Sequence, residues 1–272
     1  MSMKPPLGMV MMERATGRPV GPAIPFKRGD FFYKMPKLDL SVWHYMEFWK
    51  FESLINEKNL YFRRSDKLED DMESKYAEAN RKYITAAFEK FLKAYPIRDS
   101  HEHREMGNEG FRRAVFISCW HLNRTENMAM WNRFTKTECS VVLRTTVRKL
   151  LQSVSDLNQN TNKMELKVIV SKITCASQNI PRPEWSNYGP FFYKDTKYMD
   201  EREFRLITHP PESHSIDEDK DVGQTISIDP TVLIEQVVIH PRAPIEFKNQ
   251  VKNFLQTAGI RIPVSKSTLP SS

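Results

Sequence analysis

The spacing of apolar residues changes period several times along this chain, and each change predicts an element. LDLSVWHYM, from Leu38, has the bulk and alternation of a strand, with Trp43 and Tyr45 on one face and His44 on the other. FWKFESLINEKN then places Phe48, Phe51, Leu54 and Ile55 at helical spacing, with Asn59 near the end. LYFRRS returns to a strand, and KLEDDMES reads as an acidic turn. Tyr76 to Tyr95 predicts a helix through Tyr83, Phe88, Phe91 and Leu92, stopped by Pro96. RAVFISCWH is an apolar strand, and NRTENMAMWNRF predicts a helix capped by Thr125 that carries Met128, Trp131 and Phe134. SVVLRTT is a strand, VRKLLQSVSDLN a helix on Val147, Leu150, Leu151 and Val154, and MELKVIVSKITC a strand.

The last third follows the same logic. YKDTKYMDEREFRLI, Tyr193 to Ile207, ends as a strand; QTISID and IEQVVIH are strands. Pro241 to Ala258 holds a helix on Ile245, Phe247, Val251, Phe254 and Leu255, Gly259 ends it, and IRIPVSK closes the pattern. Strands and helices do not alternate strictly as βαβ, and no repeat or linker divides them. This predicts a single α+β domain over residues 31–272, with mixed or antiparallel sheets around a cleft. Residues 1–30, rich in Pro and Gly, read as a flexible N-terminal arm.

Composition narrows the class. Hydrophobic residues at 40% and charged residues at 28% fit an ordinary globular protein, and no apolar run approaches a membrane span. The N-terminal sequence has no basic start, apolar run and cleavage site of the kind a signal peptide needs. Three cysteines without C-x-x-C spacing argue for buried thiols in a reducing, cytoplasmic compartment. A formal charge of +7 suggests an anionic partner, a nucleic acid or a phosphate-rich small molecule. The chain contains no dinucleotide fingerprint, P-loop, nucleophile elbow or zincin motif, and its nine glycines leave little room for a phosphate-cradling loop.

Three clusters carry candidate chemistry. If the stretch from Glu201 is a strand, Glu201, Glu203 and Arg205 share a face, with the two carboxylates about 7 Å apart. Such a pair suits a sugar-centred reaction, one carboxylate holding a hydroxyl while the other stabilises positive charge. The same pattern also describes an edge strand with an internal Glu–Arg pair. Glu69, Asp70, Asp71 and Glu73 have the composition of a metal-dependent nuclease site or of a solvated turn. His101 and His103 lack a third ligand at useful spacing, and Cys119 with His121 reads as a buried strand pair.

Five segments in order resemble an uncharacterised bacterial family known only as a domain of unknown function, found partly among candidate phage-resistance genes. They are WHYMEFWKFESLINEKNLYF, LEDDME, FISCWHLNRTENMAMWNRF with SVVLRT, the K-x-x-x-Y-x-x-E-x-E-F-R run from Lys194 to Arg205, and IEQVVIHPRAPIEFKNQVKNFLQTAGIRIPVSKSTL. The likeness spans Val42 to Leu269. Glu69 and Asp71 stand where the family tends to have Asn and Pro, Tyr198 where Trp is common, and Cys139-Ser140 where a Gly is expected.

A more distant resemblance, to the His–aromatic–Glu layout of ADP-ribosyltransferases, supplies a chemistry. It implies NAD as substrate, with His44 on a ribose hydroxyl, and Tyr45 or Trp131 stacked on a ring. Glu203, paired with Glu201, would stabilise an oxocarbenium-like transition state, and Arg63, Arg64 and Lys194 would hold the pyrophosphate. It further implies a nucleic acid or protein acceptor, a toxin or phage-defence role and an antitoxin-like partner. On this reading Glu203→Gln stops turnover with little effect on melting. The rival is a non-catalytic nucleic-acid-binding or regulatory module in which Glu201, Glu203 and Arg205 form a structural network.

Overall fold

The computed structural model describes residues 11–12, 19–20, 35–68, 112–155, 169–175, 189–208 and 222–270. The expected helix from Tyr76 to Tyr95, the acidic cluster Glu69–Glu73, the His101–His103 pair and nearly all of the N-terminal arm lie outside the described residues.

The alternating stretch after Leu38 forms β1 (Ser41–Glu47), and the amphipathic run forms α1 (Phe48–Glu57). Lys58 then turns left-handed at φ 53° and opens β2 (Asn59–Arg64). Next come β3 (Phe116–Leu122), α2 (Met128–Phe134), β4 (Ser140–Thr146) and α3 (Val147–Ser155). Asn127, not Thr125, caps α2, its side chain accepting from the Ala129 amide; both are good caps, and the chain takes the one nearer the apolar run. Of MELKVIVSKITC, the described residues form β5 (Ile169–Lys172) and β6 (Thr174–Cys175). The chain continues through β7 (Tyr193–Lys194), β8 (Glu203–Thr208), β9 (Gly223–Ser227), α4 (Pro230–Leu233), β10 (Gln236–Ile239), α5 (Ile245–Thr257) and β11 (Val264–Lys266).

The fold is α+β and built on one mixed sheet. Its strands run in the order β9-β2-β3-β1-β4-β10-β11, with β8 on the other edge of β3 and β5 beyond β8. Within it the β10–β11 ladder is parallel and the others are antiparallel. Among the described residues, no helix is long and apolar enough to cross a membrane.

The central strand β3 splits one of its edges between two partners. At its start Phe116 and Ile117 pair with Arg64 and Arg63 of β2; at its end His121 and Leu122 pair with Trp43 and Val42 of β1. Between them β1 and β2 diverge, linked by α1, and the sheet forks.

Alternation decides which side chain faces which layer. On one face Val42, Met46, Phe62, Trp120, Leu143 and Phe204 pack under α1, α3 and α5, in the main hydrophobic core. Phe48 and Phe51 of α1 meet Phe254 of α5 edge-on at 5.8 and 6.0 Å between ring centroids. The other face carries Trp43 and Tyr45, covered by Met130 and Trp131 of α2, and farther along Ile117 and Ile207 with Phe191 and Phe192. The candidate site lies on this second face, where β3 meets β8.

Candidate active site

Tyr193 to Ile207 is not one strand. Two residues pair as β7, Thr196–Glu201 forms a 3-10 turn capped by Asp195, and Arg202 takes a left-handed conformation at φ 40° before β8 begins at Glu203. Glu201 and Glu203 therefore do not share a face through strand alternation. They meet because both reach Lys194, whose Nζ donates to Glu201 Oε2 at 2.6 Å and to Glu203 Oε2 at 3.2 Å.

Guanidinium groups complete the network. Arg205 Nε and Nη2 grip the Glu203 carboxylate in a forked contact, the latter at 3.0 Å, while Arg205 Nη1 donates to the Phe191 carbonyl at 2.8 Å. Arg133 Nη1, from α2, donates to Glu201 Oε1 at 2.7 Å. The Tyr198 ring stands 4.7 Å from the Lys194 ammonium, a cation–π contact. The Cys119 thiol, opposite Arg205 on the β3–β8 ladder, faces the same side of the sheet as Glu203.

The network is buried. Burial pushes the Glu203 carboxyl up, and the Lys194 ammonium and Cys119 thiol draw it back. The fork of Arg205 needs a carboxylate to accept both its bonds, so the group is charged at neutral pH. Burial alone would lower the Lys194 pKa, but Glu203 and Glu201 outweigh it and raise the group. Burial and the neighbouring Glu203 push the Cys119 thiol well up, which makes it a poor nucleophile.

His121 stands directly across the β3–β8 ladder from Glu203 and across the β1–β3 ladder from Trp43. Its Nδ1 lies 2.6 Å from the Glu201 main-chain carbonyl, which can only accept, so Nδ1 carries the proton. Burial lowers its pKa, leaving a neutral ring.

Beside this cluster, where β1 and β3 meet β8, a cavity of about 500 Å³ opens. Leu40, Leu122, Ile173 and Met199 give it an apolar wall, Arg124, Lys172 and Arg202 bring three cations, Cys175 lines it, and Glu203 reaches it from the buried network. Its volume lies within the range of small-molecule sites. Among the described residues, Arg202 Nη1 donates to Asn123 Oδ1 at 3.4 Å.

The other residues singled out by sequence fall elsewhere. His44 is on the core face of β1: its ring stacks on Trp120 at 4.7 Å and its Nδ1 donates to the Cys119 carbonyl at 2.9 Å, filling the fork. It does not line the cavity that Glu203 reaches. The expected meeting of imidazole and carboxylate across one pocket is corrected accordingly, because alternation sends the two side chains to opposite faces of the sheet. Tyr45 is buried, its hydroxyl accepting from the Asn127 amide at 2.8 Å. Trp131 is fully buried, edge-on to Tyr45 and His240, with Nε1 donating to Glu126 at 3.1 Å, so neither ring presents a face to a ligand. Arg64 points into the core and pairs with Asp66, and Arg63 is exposed on β2; both pair with the far end of β3, about 13–17 Å from His121 by strand rise. Lys194 binds carboxylates instead of standing ready for a pyrophosphate.

Sequence reasoning read His121 as half of a buried strand pair, and buried it is, but missed Arg133 and the cavity cations Arg124, Lys172 and Arg202. Their separate segments offer no common motif. The signal within reach was the alternation that puts Cys119 and His121 on one face of an apolar strand.

No family model matches the chain, and no curated protein matches it. Solved structures that resemble it include Thermus sp. 2.9 DarT in complex with carba-NAD+, with a TM-score of 0.37, 8% identity, and coverage of 86% of this chain and 97% of that one. The same protein in complex with ADP-ribosylated ssDNA gives a TM-score of 0.38 and 8% identity, covering 86% of this chain and 96% of that one. At these scores the likeness assigns no chemistry.

Proposed function

We propose that the cavity binds NAD and that the protein is an ADP-ribosyltransferase. The observation that carries this reading is the cavity's composition: an apolar wall, three cations and a buried carboxylate in one space of about 500 Å³. Arg124, Lys172 and Arg202 complement a diphosphate, Leu122 and Met199 offer surface to a ring, and Glu203 supplies negative charge where a ribose cation develops.

In such a transfer the bond between ribose C1′ and the nicotinamide nitrogen breaks, its electron pair leaving with nicotinamide. The acceptor atom then bonds C1′ and releases a proton. The chain's part is orientation and charge. Arg205 and Lys194 hold Glu203 rigid, and Glu201 positions Lys194. His44, through the Cys119 carbonyl, braces β3 behind the site.

The chain's formal charge of +7 favours a polyanionic acceptor such as nucleic acid. The three free cysteines suit a cytoplasmic setting. A toxin or phage-defence role, with a neutralising partner, belongs to this reading through the family resemblance alone.

A second reading has its own observation. Every charge on Glu201 and Glu203 is answered by Lys194, Arg133 or Arg205, as in a structural network inside a non-catalytic nucleic-acid-binding or regulatory module.

Calorimetric titration with NAD, using the parent chain and Arg202→Gly, separates the two. Glycine accepts φ 40° without strain, so the variant removes a cavity cation and keeps the fold. The proposal expects saturable NAD binding, weakened at least tenfold by Arg202→Gly, with melting unchanged or slightly higher. No binding to the parent rejects it in favour of the module.

A further inference from the structure

Glu126 is 7% exposed and forms no ion pair among the described residues, so its buried carboxylate is answered by neutral donors alone. Trp131 Nε1 at 3.1 Å and Ser267 Oγ at 2.7 Å donate to Oε2. The Thr268 amide at 2.6 Å and Thr268 Oγ1 at 3.1 Å donate to Oε1. Three of these donors belong to the two residues that follow β11. There the Ser267 amide extends the sheet to the Ile239 carbonyl at 3.1 Å, and Leu269 packs on the layer of Trp43 and Trp131. Stripping the partners from a buried carboxylate is costly, so the carboxylate and the segment that holds it move together.

Glu126 lies in the loop from β3 to α2, and that loop reaches the cavity in two directions. Behind Glu126, the Asn123 carbonyl accepts from Trp43 Nε1 at 2.9 Å, and Asn123 Oδ1 accepts from Arg202 Nη1 at 3.4 Å. Asn123, Arg124 and Arg202 are all cavity wall. Ahead of Glu126, the Asn127 amide donates to the Tyr45 hydroxyl and α2 begins. That helix brings Arg133 to Glu201 Oε1 at 2.7 Å, and Glu201 holds Lys194 against Glu203.

We infer that Glu126 is a positioning residue. It ties Ser267 and Thr268 to the loop that sets Asn123 and Arg124 in the cavity wall, and to the helix that carries Arg133. The tie is independent of what the cavity holds; that it tunes the affinity for a dinucleotide rests on the proposed function.

Ser267→Ala combined with Thr268→Val, in the full chain, removes both hydroxyl donors at one half-buried and one exposed position, which keeps the fold. Exchange of the indole protons, followed by 15N NMR, reads both ends of the tie. The Trp131 proton bonds Glu126, the Trp43 proton bonds the Asn123 carbonyl, and the Trp120 proton bonds Ser118 and belongs to the core on the opposite face. The Trp131 and Trp43 protons are expected to exchange about tenfold faster, with Trp120 unchanged. Ser267→Thr with Thr268→Ser, which keeps both hydroxyls, restores the parent rates. In parallel titrations the first double variant binds NAD about fivefold more weakly than the parent. Faster exchange at Trp131 alone, at all three indoles or at none overturns the inference, as does an unchanged NAD affinity where the parent binds NAD. A parent that binds no NAD rejects the proposed function, and the exchange rates then decide the tie by themselves. If the double variant fails to fold, the parent under rising denaturant decides. The Thr268 amide and the Trp43 indole proton lose protection together if the tie holds, and separately if it does not.

Discussion

Replacing Glu203 by glutamine perturbs one oxygen and disturbs two buried cations. The Arg205 side chain is wholly buried and Glu203 is 5% exposed, so solvent cannot take over either partner's bonds. Glutamine keeps one acceptor oxygen for one arm of the guanidinium and turns an amide donor toward the other arm and toward Lys194. Removing one partner of a buried ion pair costs about 3–5 kcal/mol. Lys194 keeps Glu201 at 2.6 Å and Arg205 keeps the Phe191 carbonyl at 2.8 Å, which places the expected loss near the lower figure. For a chain of roughly this size about 3 kcal/mol lowers the melting temperature by about 6–12 °C. Thermal unfolding followed by far-UV circular dichroism at pH 7 measures it, and denaturant titration gives the free energy. A melting temperature within about 2 °C of the parent would refute the description of Glu203 as the anchor of a buried network. It would restore the expectation attached to the ADP-ribosyltransferase resemblance, that this substitution leaves melting nearly unchanged, against the clear loss expected of the rival module. The consequence for function is direct: lost turnover in Glu203→Gln must be separated from lost structure, which makes Arg202→Gly the cleaner probe of the cavity.

His44 gives the acid limb of stability. Burial lowers its pKa from 6.5 to about 4, so its contribution is complete above pH 6.5 and is lost as pH falls through about 4. The loss amounts to about 3 kcal/mol by linkage. His44→Asn, which can still donate to the Cys119 carbonyl, should flatten that limb in urea titrations at stepped pH; an unchanged slope would assign the acid sensitivity elsewhere. Trp131→Ala removes a fully buried indole lying between Tyr45 and His240, and is expected to cost about 3–5 kcal/mol in denaturant unfolding. A cost under about 1 kcal/mol would mean that the second core layer is not closed around it.

Local sequence fixed most elements. SVVLRTT became β4 over the same residues, and VRKLLQSVS gave α3, since alternation and helical spacing act within a few residues of each other. Alternation also placed His44 opposite Trp43 and Tyr45, as the strand shows. The break at Arg202 escaped sequence reasoning because arginine carries no signal for φ 40°; the turn is held from outside by Leu122, whose amide donates to the Arg202 carbonyl at 2.9 Å. The Glu203–Arg205 pair was legible two residues apart on one strand, but the part of Lys194 and Arg133 was not, because they reach the carboxylates only after β8 pairs with β3 and α2 folds over the sheet. Sequence alone determined the period of each segment and hence the faces it can present, because those are properties of the local backbone. Tertiary structure alone decided that His121, and not His44, stands beside Glu203, since the register between strands distant in sequence is set by the whole sheet at once.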